Sequence, residues 1–383
     1  LNIVTTSAII ICDTFNIVSK NMTGGRVTLI ALICNLYFVV NYLNVNVSSS
    51  SVYTIFGNYS LSDSYASVTA INTYIINSFL LNSTGYFTRF FSLDGYNNVI
   101  INYLNGNVTF SGNHSSSIFS LRRSVTYLIA NLGYIYVTNI CNFLAYGQNL
   151  SVNYSCYCLV NIYMLSGSVK VLTDSIFLPT YHPTINLTFN INILDVDINT
   201  ISTSNPNVNF ISFNFSPDAD VSYINININT FYLHSLTSAF TRVEGNVIFS
   251  MKINNIINRL SSVISMNNFI VNDGSTLYLN IKNFDNLNLN VTNNLFSILG
   301  SSVTYITCVN FICFSPLVFN INGTGYTNIT IDRLITNLRV INLLPTTATT
   351  PVNDNSTVYC NITYCQSDVG ENQSMINIKS PGP

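Results

Sequence analysis

Residues 223–229 read Tyr-Ile-Asn-Ile-Asn-Ile-Asn, an unbroken alternation of apolar and polar side chains. Successive side chains of a strand point to opposite faces, so the pattern specifies a strand with one buried and one wet face and is incompatible with a helix. The same alternation runs through Asn190 to Ile193 and through Leu277 to Val291. The wet face is written in Asn, a poor strand former, where Thr or Lys would be usual. Breakers such as Asp94-Gly95, Asn105-Gly106, Asn205-Pro206, Asn272-Asp273-Gly274 and Asn322-Gly323 separate the strand-like runs. Many short strands punctuated in this way predict an all-β chain of two β-sandwich or jelly-roll-like domains. No repeat of fixed period is legible, which argues against a solenoid. Helical periodicity is weak, with Ile253 to Ile264 and Ile331 to Val340 the best candidates.

The organisation expected along the chain has five parts. Residues 1–45 hold N-terminal apolar strands, 46–180 and 181–343 a sandwich domain each, 344–352 a Pro/Thr linker and 353–383 a cysteine-hairpin tail. Val27 to Leu43 is apolar enough to suggest a membrane or signal helix. Asn35, Asn41 and its β-branched and aromatic residues fit two buried strands better than an anchor.

Charge narrows the functional classes. Only 7% of the 383 residues are Asp, Glu, Lys or Arg, against about 25% in a typical soluble protein. In their place stand 59 Asn, 44 Ser and 36 Thr. The net charge of −2 gives no basic stripe, so no nucleic-acid partner is expected. Ordinary hydrophobicity at low net charge also excludes a disordered chain. A surface poor in both signs of charge changes little with pH, which suits an acid-exposed or glycan-coated exterior.

Sixteen Asn-x-Ser/Thr sequons supply glycan sites: Asn21, Asn46, Asn58, Asn82, Asn107, Asn113, Asn149, Asn153, Asn186, Asn214, Asn290, Asn322, Asn328, Asn355, Asn361 and Asn372. About 12 would arise by chance from this composition, so the excess is small. Of nine Cys, Cys308/Cys313 and Cys360/Cys365 share a spacing that a hairpin could close, and Cys141 can meet Cys156 or Cys158 across a turn. Cys12 and Cys34 complete the set, and no Cys-x-x-Cys or Cys/His cluster suggests a metal.

Catalytic material is scarce: three His, two Glu and thirteen Asp. Asp195/Asp197 and Asp218/Asp220 are paired carboxylates of the kind that bind calcium or share a proton. Asp residues in turn-rich sequence often fall two apart, and neither pair carries an EF-hand or aspartic-protease motif. His114, His182 and His234 form no zinc-binding pair, no Gly-x-Ser-x-Gly occurs, and Arg122-Arg123 reads as a solvated strand end. No catalytic residue, metal or cofactor is expected. The Tyr and Phe rings could stack on sugars, but most read as sheet core and cross-strand pairs.

In its Asn/Ser/Thr/Tyr/Ile richness, few charges, many sequons and β patterning, the chain resembles secreted surface proteins of hyperthermophilic, acid-loving archaea: S-layer subunits and thread-like or pilus-like filament subunits. The resemblance implies a non-enzymatic extracellular glycoprotein that polymerises with copies of itself, carries N-linked glycans, and serves adhesion or envelope protection. Within that class an apolar terminal strand can complete the next subunit's sheet, and Leu1 to Thr14 is the candidate donor. A virion surface protein (turret, spike or capsid) and a secreted acid-stable hydrolase are the alternatives.

Overall fold

The computed structural model describes residues 2–3, 7–22, 27–32, 35–58, 71–110, 117–140, 142–147, 155–169, 177–178, 184–198, 211–214, 221–233, 241–258, 269–271, 274–286, 294–299, 302–313, 317–322, 325–336, 339–343, 357–367 and 376–378. Every regular element among them is a β-strand. Two compact units divide the chain, Leu1–Ile191 and Asn192–Pro383.

Unit 2 shows the architecture most simply. Strands Ser222–Leu233, Val247–Asn258, Thr276–Asn286, Val303–Cys313, Tyr326–Thr336 and Thr357–Ser367 pair in chain order, each parallel to the next. The short strands between them (Ile211–Asn214, Thr241–Glu244, Phe269–Val271, Asn294–Leu299, Leu317–Asn322, Arg339–Leu343 and Ile376–Ile378) form a second parallel ladder in the same order. A chain that visits two parallel ladders alternately is a coil, a β-solenoid. Unit 1 repeats the arrangement with longer, bent strands: Ser7–Met22, Asn35–Asn58, Ile71–Phe110, Ser117–Ile140, Ser155–Val169 and the start of Thr184–Ile198. Ile71–Phe110 travels more than a full turn, because Nδ2 of Asn72 donates to Oδ1 of Asn97 within the same strand.

The expected pair of β-sandwich or jelly-roll domains is therefore incorrect, and so is the argument against a solenoid. Both sandwich types are built from antiparallel pairs, whereas every register found here is parallel. Alternation of apolar and polar residues is shared by a sandwich strand and a solenoid strand, so it cannot separate them. The coil's period is not fixed: ladder hydrogen bonds join residues 25, 28, 29, 30, 36 and 37 positions apart. The loops absorb the difference, which erases the repeat from the sequence while leaving the strands in register.

A corner explains the false helical signals. Across most turns two consecutive residues face outward between two buried ones: Ile253 and Ile256 flank Asn254-Asn255, Ile281 and Phe284 flank Lys282-Asn283, Ile331 and Leu334 flank Asp332-Arg333. Apolar residues spaced i, i+3 mimic a helix. Ile253 to Asn258 and Ile331 to Thr336 are strands that bend there, and Arg339–Leu343 is another strand. Val27–Leu32 and the start of Asn35–Asn58 are strands, as the sequence suggested for Val27 to Leu43.

Inward side chains stack turn upon turn. In unit 2, Ile226, Met251, Leu279, Ile306 and Ile329 form one column, and Phe231, Ile256, Phe284, Phe311 and Leu334 another; all are buried. In unit 1, Phe38, Phe56, Phe91 and Phe119 fill the interior, with Phe56 and Phe91 stacked at 5.0 Å and Phe91 and Phe119 at 5.5 Å. Each such side chain contributes about 1.5–3 kcal/mol from burial. The 344–352 linker lies outside the described residues. Thr357–Ser367, inside the expected tail, is a full strand of the main ladder of unit 2.

Candidate functional site

Asn is tolerated on these strands because it forms ladders at the corner. In unit 1, Nδ2 of Asn41 donates to Asp13 at 3.0 Å, Asn77 to Asn41 at 2.7 Å and Asn102 to Asn77 at 2.7 Å. Asn161 donates to Asn131 at 2.7 Å and Asn190 to Asn161 at 2.8 Å. In unit 2, Asn229 donates to Asn192, Asn254 to Asn229, Asn283 to Asn255 and Asn310 to Asn283, at 2.9–3.1 Å. Asn41, Asn77, Asn161, Asn229 and Asn283 each use a donor and an acceptor along the coil axis, the pairing that also stabilises cross-β stacks. A low-charge surface is thus a hydrogen-bonded one.

The ends of the ladders differ from their middles. Strand Ser7–Met22 has one sheet neighbour among the described residues, Asn35–Asn58, and strand Thr357–Ser367 has one, Tyr326–Thr336. On the first, Ile10, Cys12, Phe15 and Ile17 face inward but remain half-exposed, while their partners Phe38, Val40, Leu43 and Val45 are fully buried. On the last, Cys360 and Cys365 face the buried Ile329 and Leu334 and are themselves exposed. Ile9, Ile11 and Val18 point outward, each more than half exposed. Among the described residues, the core columns therefore end on a strand with a single neighbour in each unit. Open strand edges template further pairing, and solenoids need polar caps to stay soluble.

The cysteines are placed without hairpins. Cys308 and Cys313 lie on one continuous strand, as do Cys360 and Cys365. Cys12, Cys156, Cys158, Cys308, Cys360 and Cys365 are free thiols. Cys156 and Cys158 point into the same interior with their sulfurs 3.0 Å apart, and that contact together with burial pushes the Cys158 thiol well up. Burial alone pushes Cys308 up. Cys34, Cys141 and the side chain of Cys313 lie outside the described residues, so neither Cys141 pairing is addressed.

Of the sequon residues, Asn46, Asn82, Asn186 and Asn361 are exposed on strands and Asn328 is half-buried. Asn46 and Asn82 are register partners on adjacent strands. Asn21, Asn58, Asn107, Asn214 and Asn322 lie on strands whose side chains there are not described. Asn113, Asn149, Asn153, Asn290, Asn355 and Asn372 fall outside the described residues, as do His114, His182, His234 and Asp218/Asp220. The side chains of Asp197 and Arg122-Arg123 are not described, whereas Asp195 is half-buried. Among the described residues no three His, Cys, Asp or Glu side chains gather as a metal site would require, and no helix is long and apolar enough to cross a membrane.

Sequence reasoning did not locate the two strands with a single described neighbour or the residues that form the outward Tyr rows. Tyr127 stacks on Tyr157 at 5.1 Å and Tyr278 on Tyr305 at 4.9 Å. Tyr127 and Tyr157 each stand four residues before a ladder Asn, Asn131 and Asn161, but only the parallel register brings the rings together. No protein-family model, no curated protein and no solved structure matches this chain.

Proposed function

We propose that the chain is a non-enzymatic extracellular structural glycoprotein that polymerises edge to edge into a cell-surface filament or S-layer. The observation that carries this reading is the pair of strands with one neighbour each among the described residues, Ser7–Met22 and Thr357–Ser367, whose inward side chains stay half-exposed or exposed. The two edges are complementary. Aligning their corners sets Asp13 of one copy beside Thr363 of the next, Cys12 beside Ile362, Ile10 beside Cys360 and Phe15 beside Cys365. A new parallel pair then continues both the backbone ladder and the apolar columns, which is β-augmentation.

This mode keeps Ser7–Met22 in its own sheet, paired along its length with Asn35–Asn58. In this reading Ser7 to Thr14, the described part of the candidate donor strand, lends an edge while staying paired. The near-uncharged, Asn-laddered exterior supports an acid-exposed or glycan-coated location, since it neither gains much repulsion nor loses its hydrogen bonds as carboxylates protonate.

The test is negative-stain microscopy of the native chain beside Phe15→Lys, which puts a charge on the uncovered column end. Native polymers that the variant abolishes, with its circular dichroism unchanged, support the reading. Monodisperse native monomers, or polymers indifferent to Phe15→Lys, contradict it.

A further inference from the structure

A groove of about 450 Å³ crosses unit 1 where successive strands enter the main ladder, lined among others by Asn72, Tyr96, Asn98, Tyr127, Tyr157 and Asn186. Those residues belong to successive turns: Asn98 is in register with Tyr127 and Tyr127 with Tyr157. At ~4.8 Å per strand, the four steps from the Asn72 turn to the Asn186 turn make the groove roughly 19 Å long. Its occupant is therefore elongated.

The lining holds no charged side chain, so the occupant is neutral. Tyr127 and Tyr157 are exposed and lie parallel, their planes 11° apart, which leaves the outer ring face of Tyr157 turned toward the Asn186 strand. Two acceptors stand buried without a hydrogen-bond partner, Oδ1 of Asn72 and Oδ1 of Asn98. Asn72 is fully buried. An orphaned buried carbonyl costs about 1–3 kcal/mol until a donor reaches it. Aromatic faces, hydroxyl-seeking carbonyls and no charge together describe a site for a neutral saccharide chain.

Asn186 supplies that chain. It is exposed at one end of the groove and opens the sequon Asn186-Leu187-Thr188. We infer that the glycan on Asn186 folds back along this groove, its first sugar against the Tyr157 ring, its next against Tyr127, and an outer hydroxyl donating to Oδ1 of Asn98, the residue in register with Tyr127. The inference rests on the glycoprotein part of the proposed function. It adds which glycan is ordered on the protein surface and what holds it, so that this glycan stiffens the coil where others stand free in solvent.

Site-resolved mass spectrometry after mild periodate oxidation, which cleaves accessible vicinal diols, tests it on the native chain. Asn82, exposed on unit 1 and outside the groove lining, is the internal reference. The Asn186 glycan should be oxidised at least fivefold more slowly than the Asn82 glycan, and Tyr127→Ala/Tyr157→Ala should remove the difference. Both tyrosines are exposed, so the fold should tolerate the change; the reference comparison in the unmodified chain stands even where it does not. Equal oxidation at the two sites overturns the inference, as does protection that survives the double substitution. A bare Asn186 beside occupied sequons overturns it and leaves the glycoprotein reading intact. Bare asparagine at all sequons overturns both.

Discussion

Asn283 donates its side-chain amide to Oδ1 of Asn255 at 2.9 Å, one turn earlier in the coil, while its own Oδ1 accepts from Asn310 at 2.9 Å. Asn283→Ala removes both bonds and strands the amide of Asn310 and the carbonyl of Asn255, each half-buried. With about 0.5–1.5 kcal/mol per bond, urea denaturation should show a loss of about 1–3 kcal/mol. Lys282→Ala, at the exposed neighbouring corner position, should change stability by less than about 0.5 kcal/mol.

Gly325 sits where a Cβ would fall on the carbonyl oxygen of Ser302, one turn away. That oxygen accepts the Tyr326 N–H at 3.0 Å, so the backbone cannot retreat without loosening the ladder. Gly325→Ala should cost about 1–3 kcal/mol in chemical denaturation. At Gly274 a Cβ would make only ordinary contacts, the nearest at 3.6 Å to the Gly245 backbone, but φ is +77°. Gly274→Ala should therefore cost only about 1 kcal/mol, through backbone strain.

Cys308 is buried and its thiol is pushed above the ordinary value of 9.0. In the unfolded chain that proton leaves near pH 9, whereas in the folded chain it stays. Above pH 9 the unfolded state therefore binds fewer protons, and stability falls as pH rises; below that value this group adds no slope. Urea midpoints measured between pH 7 and 10 should decline toward the alkaline end, less steeply in Cys308→Ala. Iodoacetamide at pH 8 should label the exposed Cys360 and Cys365 and leave Cys308 unmodified until denaturant is added.

Asn46 and Asn82 face each other on adjacent strands, both exposed and both in sequons. Directly paired strand positions are only ~4.5–5.5 Å apart, too close for two bulky glycans to leave the same surface. Glycopeptide mapping should find one of the two occupied on any given molecule. Abundant doubly modified chains would show that this part of the ladder is wrongly registered.

The strands were legible because alternation over residues such as Tyr223 to Asn229 fixes a one-sided sheet. The coil was not, for two reasons that act on particular residues. Ile224 and Phe249 sit 25 positions apart, Phe249 and Leu277 are 28 apart, and no constant period links them. At the corners, Ile253/Ile256 and Ile331/Leu334 copy the spacing of a helix face. The Asn on the wet face was visible as an anomaly of composition; its reason, a ladder from Asn255 through Asn283 to Asn310, appears only once the parallel register is known. The same register locates the edges: Ile10 and Cys360 look like ordinary strand residues in sequence, and their exposure on inward positions of strands with one described neighbour sets them apart.

Edge-to-edge growth is tested most directly by a disulfide across the proposed junction. Parallel neighbours lie ~4.8 Å apart, within the Cα separation a disulfide spans. Ile10→Cys places a thiol beside Cys360 of the next copy, whereas Ile9→Cys places it on the opposite face. Under mild oxidation, Ile10→Cys should give a ladder of covalent oligomers on a non-reducing gel, with Cys360 identified by mass spectrometry as the partner, and Ile9→Cys should not. Monomers only, or equal cross-linking from both variants, would contradict assembly through these edges.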